Sequence, residues 1–119
     1  MRITLLTVGR CRTAYLEEGA TDYARRIGRY ATLEQVVVKE ERGQKGRLSE
    51  DITRKEGTRL LDAVPVNAFL VALDRSGEAS TSDDLAARIS GLGLAGRRQM
   101  AFVIGGAFGL AQEVLKRAD

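Results

Sequence analysis

The sequence predicts an α/β domain in which a mostly parallel sheet carries helices on both faces. Four short apolar runs alternate with four stretches whose apolar residues recur at helical spacing. The runs are almost continuously apolar, which is typical of strands that are covered on both faces. Since connections between parallel strands are right-handed, such a β–α succession places helices on the two sides of one sheet. No internal repeat, low-complexity tract or linker divides residues 1–119, so we expect one domain.

The strands are predicted from aliphatic and β-branched runs, each of which ends where glycine or charged residues begin. The first run stops at Gly9, the second at Lys39, the third at Asp74 and the fourth at Gly105. The predicted strands cover residues 3–8, 33–38, 68–73 and 100–104.

The helices are predicted from apolar faces and from capping residues. A helix over residues 14–29 has one apolar face. That face consists of Leu16, Ala20, Tyr23, Ala24 and Ile27. Ser49, followed by two acidic residues, is a suitable N-cap for the second helix. Ser80 or Thr81, each with an aspartate three residues later, opens the third, and a short fourth helix begins near Leu110.

Composition excludes several classes of chemistry. The chain has no His, so imidazole-dependent triads and the common His-based zinc sites are impossible, and we expect no metal. The single cysteine, Cys11, has no partner for a disulfide or a metal site and fits a structural role in a cytoplasmic protein. No apolar run reaches the ~18 residues of a membrane span, and residues 1–9 lack the features of a signal peptide.

The basic residues are mostly arginine, and most lie in the first half. The whole chain carries a formal charge of +3, and residues 1–60 hold 13 basic against 9 acidic residues. Arginine binds phosphate through paired hydrogen bonds, so the bias indicates RNA contact, with ion pairing on helix surfaces as an equal alternative. The candidate RNA-binding residues are Arg25, Arg26, Arg29, Lys45 and Arg47. The last two lie in the polar segment 39–47, which is either a solvated loop or an RNA-binding flap.

A glycine-rich turn is the sharpest local signal. Residues 104–110, IGGAFGL, follow the fourth strand at the carboxyl edge of the sheet, where parallel sheets bind ligands. Glycines let backbone N–H groups approach a ligand. The spacing is not a dinucleotide fingerprint, so the pattern alone leaves a ligand site and an empty tight turn equally open. Residues 43–47 lack the spacing and the Lys-Ser/Thr pair of a P-loop. Asp74, at the same edge, is either a turn cap or a general base.

Five segments, in order, resemble the large-subunit ribosomal RNA methyltransferase H family of the SPOUT superfamily, whose fold is an α/β knot. They are ITLLTVG at 3–9, YARRIGRY at 23–30, KEG at 55–57, ALD at 72–74 and IGGAFG at 104–109. The resemblance spans the whole chain. It implies a cytoplasmic homodimer that methylates N3 of a pseudouridine in 23S rRNA of the assembled ribosome, with S-adenosylmethionine as the methyl donor.

The resemblance also implies a methyl-donor pocket formed by Leu73 and Gly105, with Gly106 beside them. No residue stands out as a catalytic base. Members of the family continue past the position of Asp119 with the segment that forms the knot, the rest of the donor-binding loop and much of the dimer interface. We therefore expect residues 1–119 to be one SPOUT-like domain, truncated at its C-terminal end.

Two other functions stay open on the residues alone. The arginine-rich first half and the missing segment favour a non-catalytic RNA- or ribosome-binding α/β domain. Such a domain would bind ribosomes in a salt-dependent manner and would have no affinity for the donor. A flavodoxin-like nucleotide-binding or signalling domain rests only on the strand–helix order. Its receiver-type members need acidic residues after the first strand, where this chain has GRCR at residues 9–12.

Overall fold

The computed structural model describes residues 1–42 and 48–119, which form four strands and four helices. The strands are β1 (Arg2–Val8), β2 (Thr32–Val38), β3 (Phe69–Leu73) and β4 (Gln99–Ile104). The helices are α1 (Ala14–Ile27), α2 (Ser49–Ala63), α3 (Ser82–Leu94) and α4 (Gln112–Arg117). Within the described ranges, none of these helices combines the length and the apolar character that crossing a membrane requires.

All four strands run parallel, in the order β2-β1-β4-β3. β1 lies inside the sheet, with β2 on one side and β4 on the other. The predicted α/β class with a parallel sheet is confirmed. The flavodoxin-like alternative is wrong, because that topology places the third strand beside the first, in the order 2-1-3-4-5.

The main core lies between the sheet and the helix pair α2–α4. Its largest fully buried aliphatic side chains come from three strands and both helices: Leu6, Leu60, Leu70, Val103 and Val114. The two helices approach closely where α2 presents a glycine. A methyl group added at Gly57 would lie 3.0 Å from the Cβ of Ala111, so a side chain at residue 57 would push the start of α4 away from α2.

The opposite face of the sheet is thinly covered. The right-handed connections β1–α1–β2 and β3–α3–β4 place α1 and α3 on this face, yet neither helix has a buried residue. The apolar face predicted for α1 is therefore not buried, since Leu16 is 54% and Tyr23 65% exposed. The expectation of strands buried on both faces is wrong for β2. As an edge strand, β2 leaves Glu34, Gln35 and Val37 exposed.

The helix starts confirm one capping prediction and correct another. The Thr81 hydroxyl accepts the Asp84 N–H at 3.0 Å, and the Asp84 carboxylate accepts the Thr81 N–H at 3.1 Å, so the predicted cap of α3 is confirmed. Ser49 is not the cap of α2. It is already helical, and the extended Leu48 precedes the helix, with its carbonyl accepting the Asp51 N–H at 3.0 Å.

Candidate functional site

A cleft of about 700 Å³ opens at the carboxyl ends of β3 and β4. The two strands pair as far as Leu73 and Ile104, after which the chain leaves them toward α3 and α4 on opposite faces of the sheet. Loops that diverge in this way open a crevice at the edge of a parallel sheet, which is where ligands bind. The residues that line it include Leu73, Asp74, Ser76, Ser49, Leu115 and the turn 104–110. The size is that of a small-molecule site.

The turn after β4 leaves no room for a side chain at residue 105. A methyl group there would lie 2.5 Å from both the carbonyl carbon and the carbonyl oxygen of Gly109. Gly109 has a φ of +82°, which L side chains rarely adopt, and its N–H donates to the Gly106 carbonyl at 3.1 Å. The backbone therefore folds back on itself at Gly105, and the turn brings main-chain groups as well as the exposed Phe108 side chain to this wall of the cleft.

The turn after β3 forms the other wall and is capped by Asp74. Its carboxylate accepts a hydrogen bond from the Ser76 hydroxyl and another from the Ser76 N–H at 3.1 Å, while its carbonyl accepts the Gly77 N–H at 3.0 Å. The hydroxyl and then the N–H of Ser76 hold the pKa of Asp74 below its usual value, because both stabilise the charged form. A lowered pKa makes a weaker base, so this geometry favours the turn cap over the general base.

The three residues assigned to a donor pocket lie together in this cleft. Leu73 ends β3 opposite Ile104, and Gly105 and Gly106 follow directly. Leu73 is 47% and Ile104 39% exposed, so the rim of the cleft presents apolar surface as well as main chain.

Two further residues of the cleft were missed in the sequence. Ser49 reaches it from the start of α2 and Leu115 from α4, elements that only tertiary packing brings to this edge. Glu56 was quoted as part of a motif but given no role, although it is buried beside the glycine turn. A signal was present, because Glu56 lies one helical turn from both Ile52 and Leu60, on the buried face of α2.

The candidate RNA-binding arginines in and just after α1 lie at the other end of the sheet. Because α1 runs antiparallel to the strands, Arg25, Arg26 and Arg29 lie near the amino end of β2. Arg25 and Arg26 both pair with Asp22, at 2.6 Å and 2.8 Å. Among the ion pairs of the described residues, none involves Arg29.

Neighbouring chain segments extend this basic region along the amino ends of the strands. The Arg2 N–H donates to the Arg98 carbonyl at 2.8 Å, and the Thr32 N–H donates to the Met1 carbonyl at 3.1 Å, so the starts of β2, β1 and β4 are contiguous. We call the group Arg2, Arg25, Arg26, Arg29, Arg97 and Arg98 the arginine edge. The other two candidates, Lys45 and Arg47, lie outside the described residues.

Metal-ligating side chains do not gather in the described part of the chain. Over residues 1–42 and 48–119, no group of three His, Cys, Asp or Glu side chains could hold a metal ion. Cys11 is exposed, and its thiol donates to the Thr13 carbonyl at 3.6 Å. The polar groups that the cleft offers are main-chain groups, hydroxyl, amide and carboxylate side chains, and Arg75.

Comparison with known proteins gives consistent matches over the whole chain. The family model described as "Predicted SPOUT methyltransferase" matches residues 1–119. The protein named ribosomal RNA large subunit methyltransferase H of Syntrophotalea carbinolica is 41% identical over 119 residues, which are 100% of this chain and 76% of that protein. Proteins of the same name are 40% identical in Bifidobacterium adolescentis and 36% identical in Shouchella clausii, each match covering 100% of this chain and 77% of the relative.

Proposed function

The chain belongs to the SPOUT methyltransferase family, and we propose that it transfers a methyl group from S-adenosylmethionine to ribosomal RNA. The finer proposal is that the acceptor is N3 of a pseudouridine in 23S rRNA of the assembled ribosome. The observation that carries the proposal is the cleft that brings Leu73 and the turn 104–110 together. Relatives named ribosomal RNA large subunit methyltransferases support the choice of substrate.

The residues of the cleft fit a methyl donor of this kind. The turn has glycines at 105, 106 and 109, which leaves main-chain groups accessible to a ligand, while Leu73 and Ile104 offer apolar surface to a ring. We assign donor binding to Leu73, Gly105 and Gly106. When bound, S-adenosylmethionine supplies an electrophilic methyl group on a sulfonium. The contribution of these residues is to orient the donor and exclude water, because positioning can supply much of the rate enhancement of a transfer reaction.

RNA contacts are assigned to Arg25, Arg26 and Arg29 and to Lys45 and Arg47. The arginine edge supports the first group, because its guanidinium groups are exposed and follow one contiguous edge of the sheet. Phosphate contacts of this kind position an RNA without reading its sequence. The donor cleft and the arginine edge lie at opposite ends of the strands, so an RNA that met both would have to span the domain.

A cytoplasmic homodimer is part of the same proposal. The thinly covered sheet face supports it, since Leu16 and Tyr23 on α1 and Leu94 on α3 expose large apolar side chains. A cytoplasmic location follows from a ribosomal substrate. Sedimentation of the purified chain at micromolar concentration tests the assembly, and a monomer over the whole concentration range would contradict it.

Two measurements on one preparation test the function. The first is calorimetric titration with S-adenosylmethionine and S-adenosylhomocysteine, for which we expect micromolar affinity. The second is incubation with ribosomes and donor labelled in its methyl group, followed by nuclease digestion and mass analysis, for which we expect label at N3 of one pseudouridine. Donor binding with the label on another nucleotide would overturn the proposed acceptor. An intact fold without donor binding would overturn the methyltransferase proposal.

The non-catalytic alternative predicts a different pair of results. The arginine edge favours RNA contact whether or not the cleft is competent. Salt-dependent ribosome binding together with no affinity for either donor or product would support the alternative. Ribosome binding that does not depend on salt would contradict this alternative.

A further inference from the structure

Glu56 is a carboxylate on the buried face of α2. Only 4% of the residue is exposed, and Ile52 and Leu60, one helical turn away on either side, are 3% and 1% exposed. Carboxylates are almost never fully buried unless they are paired. A buried acid at this position therefore calls for a physical reason beyond packing.

The two oxygens of Glu56 have different surroundings. Oε2 accepts the Glu41 N–H at 3.0 Å. Oε1 is fully buried and has no hydrogen-bond partner among the described residues. An unsatisfied buried acceptor is costly, and native structures keep few of them.

The carboxylate of Glu56 also packs against the glycine turn that lines the cleft. A methyl group added at Gly106 would lie 3.0 Å from Oε1 and 3.4 Å from Oε2. It would also lie 3.3 Å from Cγ1 of Val8, at the end of β1. Gly106 is therefore wedged between a strand and the carboxylate, and the position of the carboxylate limits where the turn can lie.

The same part of α2 holds the chain that follows β2. Besides the Glu41 N–H bond to Glu56, the Arg59 guanidinium donates to the Lys39 carbonyl at 3.0 Å and to the Glu41 carboxylate at 2.6 Å. Lys55 lies 3.9 Å from the Glu41 carboxylate. The Glu56 carboxylate thus lies against the glycine turn and also accepts the backbone N–H of Glu41.

We propose that Glu56 is a positioning residue for donor binding, which fixes the backbone of Gly105 and Gly106 against α2 and couples it to the chain after β2. The inference rests on the proposed function, since the ligand of the cleft is the methyl donor. Glu56 does not line the cleft, so its effect passes through Gly106 and not through contact with the donor. A glutamate suits position 56 because its carboxylate accepts the Glu41 N–H and also fills the space next to Gly106, which has no side chain.

Donor affinity provides the first test, measured by calorimetry on folded protein. We expect Glu56→Ala to weaken binding of S-adenosylmethionine and S-adenosylhomocysteine alike, by at least about tenfold, because small misplacements of positioning groups have effects of this size. Glu56→Gln keeps the shape and one acceptor oxygen and should remain within about threefold of the wild type, since a difference that small is under 1 kcal/mol. Equal losses in the two variants, or a loss confined to the cationic S-adenosylmethionine, would show that charge and not position matters and would overturn the proposal.

A matched control separates positioning from general destabilisation. Leu60→Ala removes an equally buried side chain one helical turn from Glu56, so it should lower the thermal midpoint while leaving the donor dissociation constant of the folded protein unchanged. If Leu60→Ala weakens donor binding as much as Glu56→Ala, Glu56 is merely structural. If the wild type binds no donor, the proposed function fails, whereas wild-type binding with unchanged affinity in Glu56→Ala removes only the role of Glu56.

The coupling of Gly106 to Glu41 through the Glu56 carboxylate can be measured without any donor. Adding a methyl group at Gly106 must displace Glu56, so Gly106→Ala should shift the amide resonance of Glu41 in the free protein. In a Glu56→Ala background the same substitution should leave that resonance almost unmoved, and the two effects should be non-additive. Additive effects, or an unmoved Glu41 resonance in the single variant, would overturn the coupling.

Discussion

Leu70 and Asp119 exchange two hydrogen bonds along the outer edge of β3. The Asp119 N–H donates to the Leu70 carbonyl at 2.8 Å, and the Leu70 N–H donates to Oδ2 of the Asp119 carboxylate at 2.9 Å. An edge strand leaves such groups without a strand partner. The pair satisfies them and holds the end of α4 to the sheet.

Removing the Asp119 carboxylate should destabilise the fold. Asp119→Ala leaves the Leu70 N–H without its acceptor, and we expect the free energy of unfolding to fall by about 1 kcal/mol. Asp119→Asn keeps an acceptor oxygen and should stay within about 0.5 kcal/mol of the wild type. Urea denaturation gives both values. Equal losses would instead assign the effect to the charge, which lies 3.4 Å from Arg117.

Gly105 should tolerate no side chain. Gly105→Ala places a methyl group 2.5 Å from the backbone of Gly109, so the turn must open, and we expect a loss of about 1–3 kcal/mol in stability together with loss of donor binding. Gly19→Ala is the control, because nothing lies within 4 Å of its added methyl group and α1 should gain about 0.5–1 kcal/mol. Thermal melts and calorimetry measure the two effects, and wild-type donor affinity in Gly105→Ala would contradict the assignment of this turn.

Ser76→Ala should raise the pKa of Asp74 toward its ordinary value of 3.8, because the hydroxyl bond is the largest cause of the lowered pKa. A carboxyl whose pKa is lowered in the folded state stabilises the fold above its unfolded pKa. That contribution begins to fall as the pH drops below the unfolded pKa, at about pH 4, and is lost once the pH has passed through the lower, folded pKa. Carbon-detected NMR titration of Asp74 measures the shift. Ser90→Ala, on the exposed surface of α3, is the control, and an unmoved Asp74 pKa in Ser76→Ala would refute this account of the turn.

Arg2→Gln and Arg98→Gln should each weaken RNA binding without sequence preference. Each lost phosphate contact reduces the slope of log affinity against log salt by about 1. Donor affinity should not change, because the arginine edge lies at the opposite end of the strands from the cleft. Arg54→Gln is the matched control, since Arg54 is paired with Asp51 at 2.8 Å on α2. Filter binding to ribosomal RNA at several salt concentrations tests this, and an unchanged slope in the Arg2 and Arg98 variants would remove the edge from the RNA interface.

The local parts of the fold were predictable because their signals are local. The run at 3–8 became β1 with one more residue at its start, and the Thr81–Asp84 spacing gave a true cap. Ser49 was misplaced by one residue, because capping depends on the backbone of Leu48, which the side-chain pattern does not report. The apolar face of α1 is exposed rather than buried for a different reason. Its apolar spacing is real, but burial needs a covering element, and the described residues supply none.

The candidate site was predictable only where motifs lie at strand ends. Leu73 and Gly105 meet because β3 and β4 pair in register, and both were identified through family resemblance. Periodicity carries no information about which strands are neighbours, so the order β2-β1-β4-β3 could not be read from the chain. The burial of Glu56 was missed although its helical spacing from Ile52 and Leu60 indicated it, because an acid within a charged stretch of a helix is usually solvated.

The strand order has a consequence for how the chain folds. β1 precedes the other three described strands in the chain, yet it pairs with β4, the last of them, with Arg2 opposite Gln99. Pairing β1 with β4 closes a long loop, and the chain entropy of that closure is lost before the contacts between the strands stabilise the fold. Such topologies therefore fold slowly compared with helical bundles. Until β4 has been synthesised, one edge of β1 has no strand partner and can pair incorrectly with a strand of the same or another chain. β1 thus gains its second neighbour only after residues 99–104 have been synthesised.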